Sequence, residues 1–109
     1  MEQRTLRAMR LASSKARHKA HRHAALVYRG GALISQGTNH DEVHAEVAAL
    51  RRLWPSHRED TTVVSIRMTK GNRLGMAKPC PECEKYMKLA GVKKVVYSDA
   101  MGQMITMRI

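Results

Sequence analysis

The sequence predicts a mixed α/β fold with the element order α-β-β-α-β-α-β-β. Three observations predict it. Segments rich in Ala, Leu, Met, Arg and Lys alternate with β-branched runs such as TTVVSIRMT at 61–69. A Gly30-Gly31 pair joins the first two strand-like runs, as a tight hairpin turn requires. The last two strands are separated only by DAMGQ, too little for the crossover of about a dozen residues that a parallel return needs, so they pair as an antiparallel hairpin. With 109 residues, 43% of them apolar, and no low-complexity run, the chain is expected to fold as one domain, 1–109, around a single sheet.

Taken in order, residues 3–19 are good helix formers, with a weak apolar stripe at Leu6, Met9, Ala12, Ala16 and Ala20. HAALVYRGGALISQG, 23–37, reads as two strands, the glycine pair supplying positive φ. VHAEVAALRRLW, 43–54, is helical, with Val47, Leu50 and Trp54 or Leu53 at helical spacing and Pro55 as its end. Thr61–Thr69 is a buried strand, followed by the basic loop KGNRLGMAK at 70–78. Pro81 suits a first helical turn, and ECEKYMKLAG carries that helix to a stop at Gly91. KKVVYS and MITMRI are the closing strands. Tyr28, Trp54, Tyr86 and Tyr97 all fall within these elements, so the core is their expected place.

Twenty Lys and Arg stand against nine Asp and Glu, a formal net charge of +11 and a pI near 10.4. Such a balance favours anionic partners: phosphates, nucleic acid or an acidic membrane surface. Arg4, Arg7, Arg10, Lys15, Arg17, Lys19 and Arg22 crowd the N-terminal segment beside His18, His21 and His23. They suit either polyanion contact or a solvated helix face. No apolar run is long enough to span a bilayer, so no membrane partner is expected. The N-terminus lacks the apolar middle of a secretory signal, and Glu2 argues against a transit peptide, which leaves the cytoplasm as the expected location.

Chemistry gathers at Cys80-Pro81-Glu82-Cys83. A helix start stabilises thiolate through unpaired N–H groups and the helix dipole. Alone, this spacing fits half a zinc site, a redox pair or structural thiols; the preceding basic loop, in place of a strand, weighs against redox. Of the histidines, His40 lies in the TNHDEV loop and His57 follows Pro55. His44 opens a helix two residues before Glu46.

HAE at 44–46 followed by PCPEC at 79–83 is the H-x-E…P-C-x-x-C pattern of zinc deaminases. On these motifs, and on an element order that matches over nearly the whole chain, the sequence resembles the cytidine deaminase-like superfamily. The resemblance implies a three-layer α/β/α sandwich around a five-stranded mixed sheet. It also implies one Zn2+ per chain on His44, Cys80 and Cys83, with a fourth position left for water. Glu46 becomes the base that moves a proton from water to the ring and the leaving amine as cytosine is hydrolysed to uracil; the plain alternative is a first-turn glutamate favouring the helix dipole. By the same resemblance Asn39 contacts the sugar or base and Ala45 offers its N–H to the base carbonyl. Gly37 beside Asn39 makes an ordinary turn the alternative there. The terminal hairpin is more similar to the cytidine deaminase branch than to the branch with a helix before its last strand, which disfavours adenine.

Lys70, Arg73 and Lys78 precede the cysteines and suit a phosphate, in a loop longer than is usual in free cytidine deaminases. Aromatic residues are only 4% of the chain, with no Phe, which disfavours a stacking platform, although His and Arg can serve. The expected substrate is cytosine in a phosphate-bearing molecule, single-stranded nucleic acid ahead of a (deoxy)cytidine nucleotide, with free cytidine or deoxycytidine as the alternative. A non-enzymatic zinc-stabilised nucleic-acid-binding module is the rival from another class; it requires a fourth protein ligand such as His40 or His57. Association into a homo-oligomer is a further expectation from the resemblance.

Overall fold

A computed structural model describes residues 2–15, 22–40 and 43–109. Its elements are α1 (Gln3–Lys15), β1 (Arg22–Arg29), β2 (Ala32–Thr38), α2 (Ala45–Arg51), α3 (Pro55–Arg58), β3 (Thr61–Met68), β4 (Leu74–Gly75), α4 (Pro81–Ala90), β5 (Val92–Ser98) and β6 (Met104–Arg108). The strands form one mixed sheet in the order β2-β1-β3-β5-β6, with β4 paired to β3 outside that path. β3 and β5 run parallel because α4 carries the chain back between them; the other pairs are antiparallel, the β5–β6 hairpin included. The expected end of the first helix at 16–19, with Arg17, His18, Lys19 and His21, lies outside the described residues.

Strand alternation divides the core into two layers. Ala25, Val27, Val63 and Val95 face α2 and α4, whose Ala45, Ala49, Leu50, Cys83 and Met87 close over them. Their sequence neighbours Ala24, Leu26, Val64, Ile66 and Met68 face α1 through Ala8 and Ala12. Small alanines on α1 let the helix lie close to the strands. The result is the three-layer α/β/α sandwich, helices on both sides of the sheet.

Four expectations change in detail. The sheet has a sixth strand: the basic loop at 70–78 turns back at Asn72 (φ 58°) and pairs Arg67 with Gly75 and Met68 with Leu74. Pro55 does not cap α2 but opens the separate short helix α3. α2 already ends at Arg51; Arg58 Nε donates to Leu50 O in its last turn and to Leu53 O just beyond it. Trp54 therefore leaves the α2 face and stands 76% exposed, whereas Leu53 packs against the core and Tyr28, Tyr86 and Tyr97 are buried or partly buried as expected. Gly37 is not a turn residue but lies within β2, where a Cβ would stand 2.6 Å from Ala49 N and 3.0 Å from Ala45 O. Only a residue without a side chain lets α2 approach β2 this closely.

Candidate active site

Two helix starts meet at one end of the sheet. His44 precedes α2 in an extended conformation (φ −72°, ψ 151°) and makes no side-chain cap, so its ring is not spent on satisfying the helix. Cys80 occupies the same position before α4, its Sγ accepting from Cys83 N at 3.4 Å, with Pro81 fixing the first turn. His44 Nδ1 lies 3.0 Å from Cys83 Sγ and 3.7 Å from Cys80 Sγ. All three donor atoms fall within 4.8 Å of one another, the one such His/Cys/Asp/Glu group among the described residues.

These residues fit zinc. The donors are one imidazole and two sulfurs, and bond lengths of about 2.0–2.3 Å place tetrahedral ligand atoms roughly 3.4–3.8 Å apart, close to what is seen. Electrostatics agree. Without a cation, burial foremost, then Glu46 and the neighbouring Cys80, push the Cys83 thiol far above its ordinary range. A dication would reverse that balance, helped by the positive ends of α2 and α4. The group therefore fits one Zn2+ per chain. His44 is exposed, Cys80 half-buried and Cys83 buried, so the site opens on the His44 side.

Glu46, in the first turn of α2, is only 1% exposed. Its Oε1 has no hydrogen-bond partner and lies 3.6 Å from His23 Nε2. A buried carboxylate oxygen without a hydrogen bond is costly, and such groups mark function more than stability. His23 Nε2 is 2.7 Å from Ser65 Oγ, which in turn is 3.5 Å from Ala77 O. With the serine hydroxyl turned to Ala77 O, Ser65 Oγ accepts from the His23 N–H, which also faces Glu46. Burial holds the His23 pKa below its ordinary value, against the opposing pull of Glu46, so the ring favours its neutral form.

A cavity of about 280 Å³ opens over these groups, lined among others by His23, Asn39, Glu46, Arg67 and Lys78. Asn39 is clamped to β1: its Oδ1 accepts from His23 N at 2.9 Å, and its own N–H donates to His23 O at 3.2 Å. The fold thus brings His44, Cys80, Cys83, Glu46, Asn39 and Lys78 together. Ala45 is the first residue of α2; its methyl is fully buried, and its N–H belongs to the turn that lacks intrahelical acceptors. Arg73 is not brought in. It lies exposed at the tip of the β3–β4 hairpin, because the ladder carries the chain out and back before Lys78 reaches the cavity.

Two cavity residues are not evident from the sequence. His23 looks there like one more member of the basic N-terminal cluster, and Arg67 like one polar residue in a buried strand. They are direct partners in the β1–β3 ladder. Alternation along His23-Ala25-Val27 and Val63-Ser65-Arg67 would have put both on the α2 face, but only strand pairing puts them side by side. Arg22, counted among cations for a polyanion, donates through Nη2 to Thr69 O (2.6 Å) and Asn72 Oδ1 (2.8 Å) and holds the hairpin tip. As for a fourth protein ligand, His40 Nδ1 lies against Thr38 O at 3.1 Å and His57 sits on α3; neither belongs to the metal group.

The family model for the cytidine and deoxycytidylate deaminase zinc-binding region matches residues 1–99. Two solved structures of RibD from Acinetobacter baumannii, form 2 and form 1, superpose with TM-scores of 0.64 and 0.67 at 22% identity, covering 86% of this chain but 26% of theirs. The chain therefore spans about a quarter of the RibD length. A dCMP deaminase from the cyanophage S-TIM5, in apo form, superposes with a TM-score of 0.63 at 22% identity, covering 92% of this chain and 86% of its own. Among curated proteins no sequence match is found. The antiparallel β6 is present as expected.

Proposed function

The chain belongs to the cytidine and deoxycytidylate deaminase zinc-binding family, and from that membership we propose that it hydrolyses cytosine to uracil in a phosphate-bearing substrate, single-stranded nucleic acid before a mononucleotide. The observation that carries this is Glu46, a buried carboxylate with one oxygen unbonded, facing the same cavity as His44 and Cys80. Zinc on His44, Cys80 and Cys83 supplies a Lewis acid that brings the ionisation of water near neutral pH.

Glu46 does the proton work. Its Oε1 takes one proton from water as oxygen bonds to C4 of the base and passes it to the ring nitrogen, then takes the second proton from the new C4 hydroxyl and delivers it to the amino group as the C–N bond breaks. Cytosine and water give uracil and ammonia, with the carboxylate restored. His23 is a positioning residue: fixed by Ser65 Oγ and the Asn39 clamp, it holds a polar edge against Glu46 Oε1, which has no hydrogen-bond partner. Asn39 and the Ala45 N–H orient the base and sugar. Lys78 and Arg67 give the cavity rim a positive field suited to phosphate, in a chain of net charge +11.

The test incubates zinc-loaded protein with cytidine, dCMP, a cytosine-containing single strand and adenosine substrates, scoring base conversion and ammonia. Turnover of the strand or of dCMP above that of cytidine is expected. Glu46→Gln should keep one zinc per chain and lose about 10²–10⁴ of the rate. A variant that deaminates like the parent, or a parent that turns over adenosine alone, refutes the proposal.

A further inference from the structure

Away from the zinc site, on the opposite face of the sheet, α1 and the β1–β2 hairpin enclose a groove of about 460 Å³ lined by Arg4, Arg7, Arg10, Tyr28, Gly31 and Leu33. The three arginines stand at successive three-residue steps on α1, so their side chains form one row. Arg4 lies over the Tyr28 ring, 5.3 Å from its centroid, and its Nε donates to Glu2 Oε1 at 2.8 Å. Arg7 and Arg10 are exposed and make no salt bridge among the described residues. Like charges one turn apart on a helix repel each other, so this row does not serve the stability of α1. Departures of this kind from local preference are characteristic of functional surfaces.

We propose that this groove binds the phosphate backbone of single-stranded nucleic acid, as a second contact remote from the zinc cavity; the proposal rests on the polynucleotide reading of the substrate. Arginine's planar fork matches phosphate oxygens, and a row of such forks matches a repeating anion better than a single one. Position excludes a mononucleotide as the ligand shared by both sites. His23 in the cavity and Tyr28 in the groove lie five residues apart on β1, about 16 Å along the strand, and the two openings are on different faces. Only a polymer reaches both. An acidic membrane surface is disfavoured because α1 has no apolar face left to insert: Ala8 and Ala12 are fully buried against the sheet.

The test replaces Arg7 and Arg10 together by Gln, a good helix former at exposed positions. Full-length protein is titrated against a fluorescent thymidine 20-mer over a range of salt, by anisotropy. Thymine carries no amino group to lose, so binding is read independently of deamination. Weaker binding is expected, with the slope of log K against log salt reduced by about 1.4, or roughly 0.7 for each phosphate that is no longer neutralised. Turnover of dCMP should stay at the parent value. Lys85→Gln with Lys88→Gln, exposed on α4 and equal in charge change, should leave the slope in place.

An unchanged slope in the Arg7/Arg10 variant overturns the proposal. So does an equal loss in the Lys85/Lys88 variant, which would make the effect one of net charge. Binding of phosphatidylserine vesicles through Arg7 and Arg10, without binding of the 20-mer, overturns it in favour of a membrane. If the parent binds the 20-mer as predicted but deaminates no substrate, the groove stands and the proposed reaction falls.

Discussion

Gly37→Ala tests the link between packing and chemistry most directly. The added methyl would lie 2.6 Å from Ala49 N, 3.0 Å from Ala45 O and 3.1 Å from Ala48 C, all backbone atoms of α2 that no rotamer change can move. Reaching the 3.4 Å at which ordinary contact begins requires α2 to shift from β2 by ~0.8 Å. Overpacking of this kind costs about 1–3 kcal/mol. With an unfolding entropy of roughly 2.1 cal/mol/K per residue over a chain of this length, that lowers Tm by about 4–13 °C. The same shift carries His44 and Glu46 away from Cys80 and Cys83, and a displacement near 1 Å at a reacting group costs about 10² in rate. Calorimetry of the zinc-loaded protein and kcat/KM on the preferred substrate measure the two consequences separately. Gly71→Ala is the control, since the nearest neighbour of its methyl is Thr69 Oγ1 at 4.0 Å. A Gly37→Ala protein that melts within about 2 °C of the parent and keeps its kcat/KM would refute the close approach of α2 and β2 and, with it, the way the two halves of the site are aligned.

His23 is held neutral by burial, so the unfolded chain binds the extra proton first; stability is full above the unfolded pKa near 6.5 and is lost as pH falls toward the lowered folded value, at up to about 1.4 kcal/mol per pH unit. Urea unfolding between pH 5 and 8 should show that loss in the parent and a shallower one in His23→Gln; equal slopes would mean that His23 does not titrate in this way. Removing zinc with a chelator should lower Tm, and one equivalent per chain should restore it, the stabilisation reaching about 4 kcal/mol at free zinc a thousandfold above Kd. Restoration by zinc of a Cys83→Ala variant would contradict the three-residue site. Lys78→Ala should raise KM for a phosphate-bearing substrate severalfold, whereas Arg73→Ala, at the hairpin tip, should leave it unchanged; an unchanged KM in Lys78→Ala would place that lysine outside substrate contact, and a raised KM in Arg73→Ala would contradict its exclusion from the site.

Much of this protein is legible in its linear order because the determining signals are local. Gly30 and Gly31 do adopt positive φ at the β1–β2 turn, Pro81 does begin α4, and Gly91 does end it in the left-handed region. Each is a property of a few consecutive residues. The zinc group is legible for a similar reason: the cysteines of a C-x-x-C motif at a helix start must lie together, and H-x-E places a ligand at the N-cap and a carboxylate in the first turn of one helix. What chain order could not supply was the phase of α2 after Arg51. A proline reads equally well as the end of one helix or the first turn of the next, and the exposed Trp54 follows from the second.

By itself, then, the sequence determined the order of elements, the two helix starts that carry His44, Glu46, Cys80 and Cys83, and the resemblance that joins them. Tertiary structure alone decided what stands around that group. Strand register set His23 beside Arg67 and under Glu46, the β3–β4 ladder took Arg73 out of the cavity while leaving Lys78 at its rim, and Gly37 set how near α2 can come. The physical reason is range: dihedral preference and helix capping act over three or four residues. Cross-strand pairing and helix-to-sheet distance instead depend on residues tens of positions apart, brought together by burial of the core.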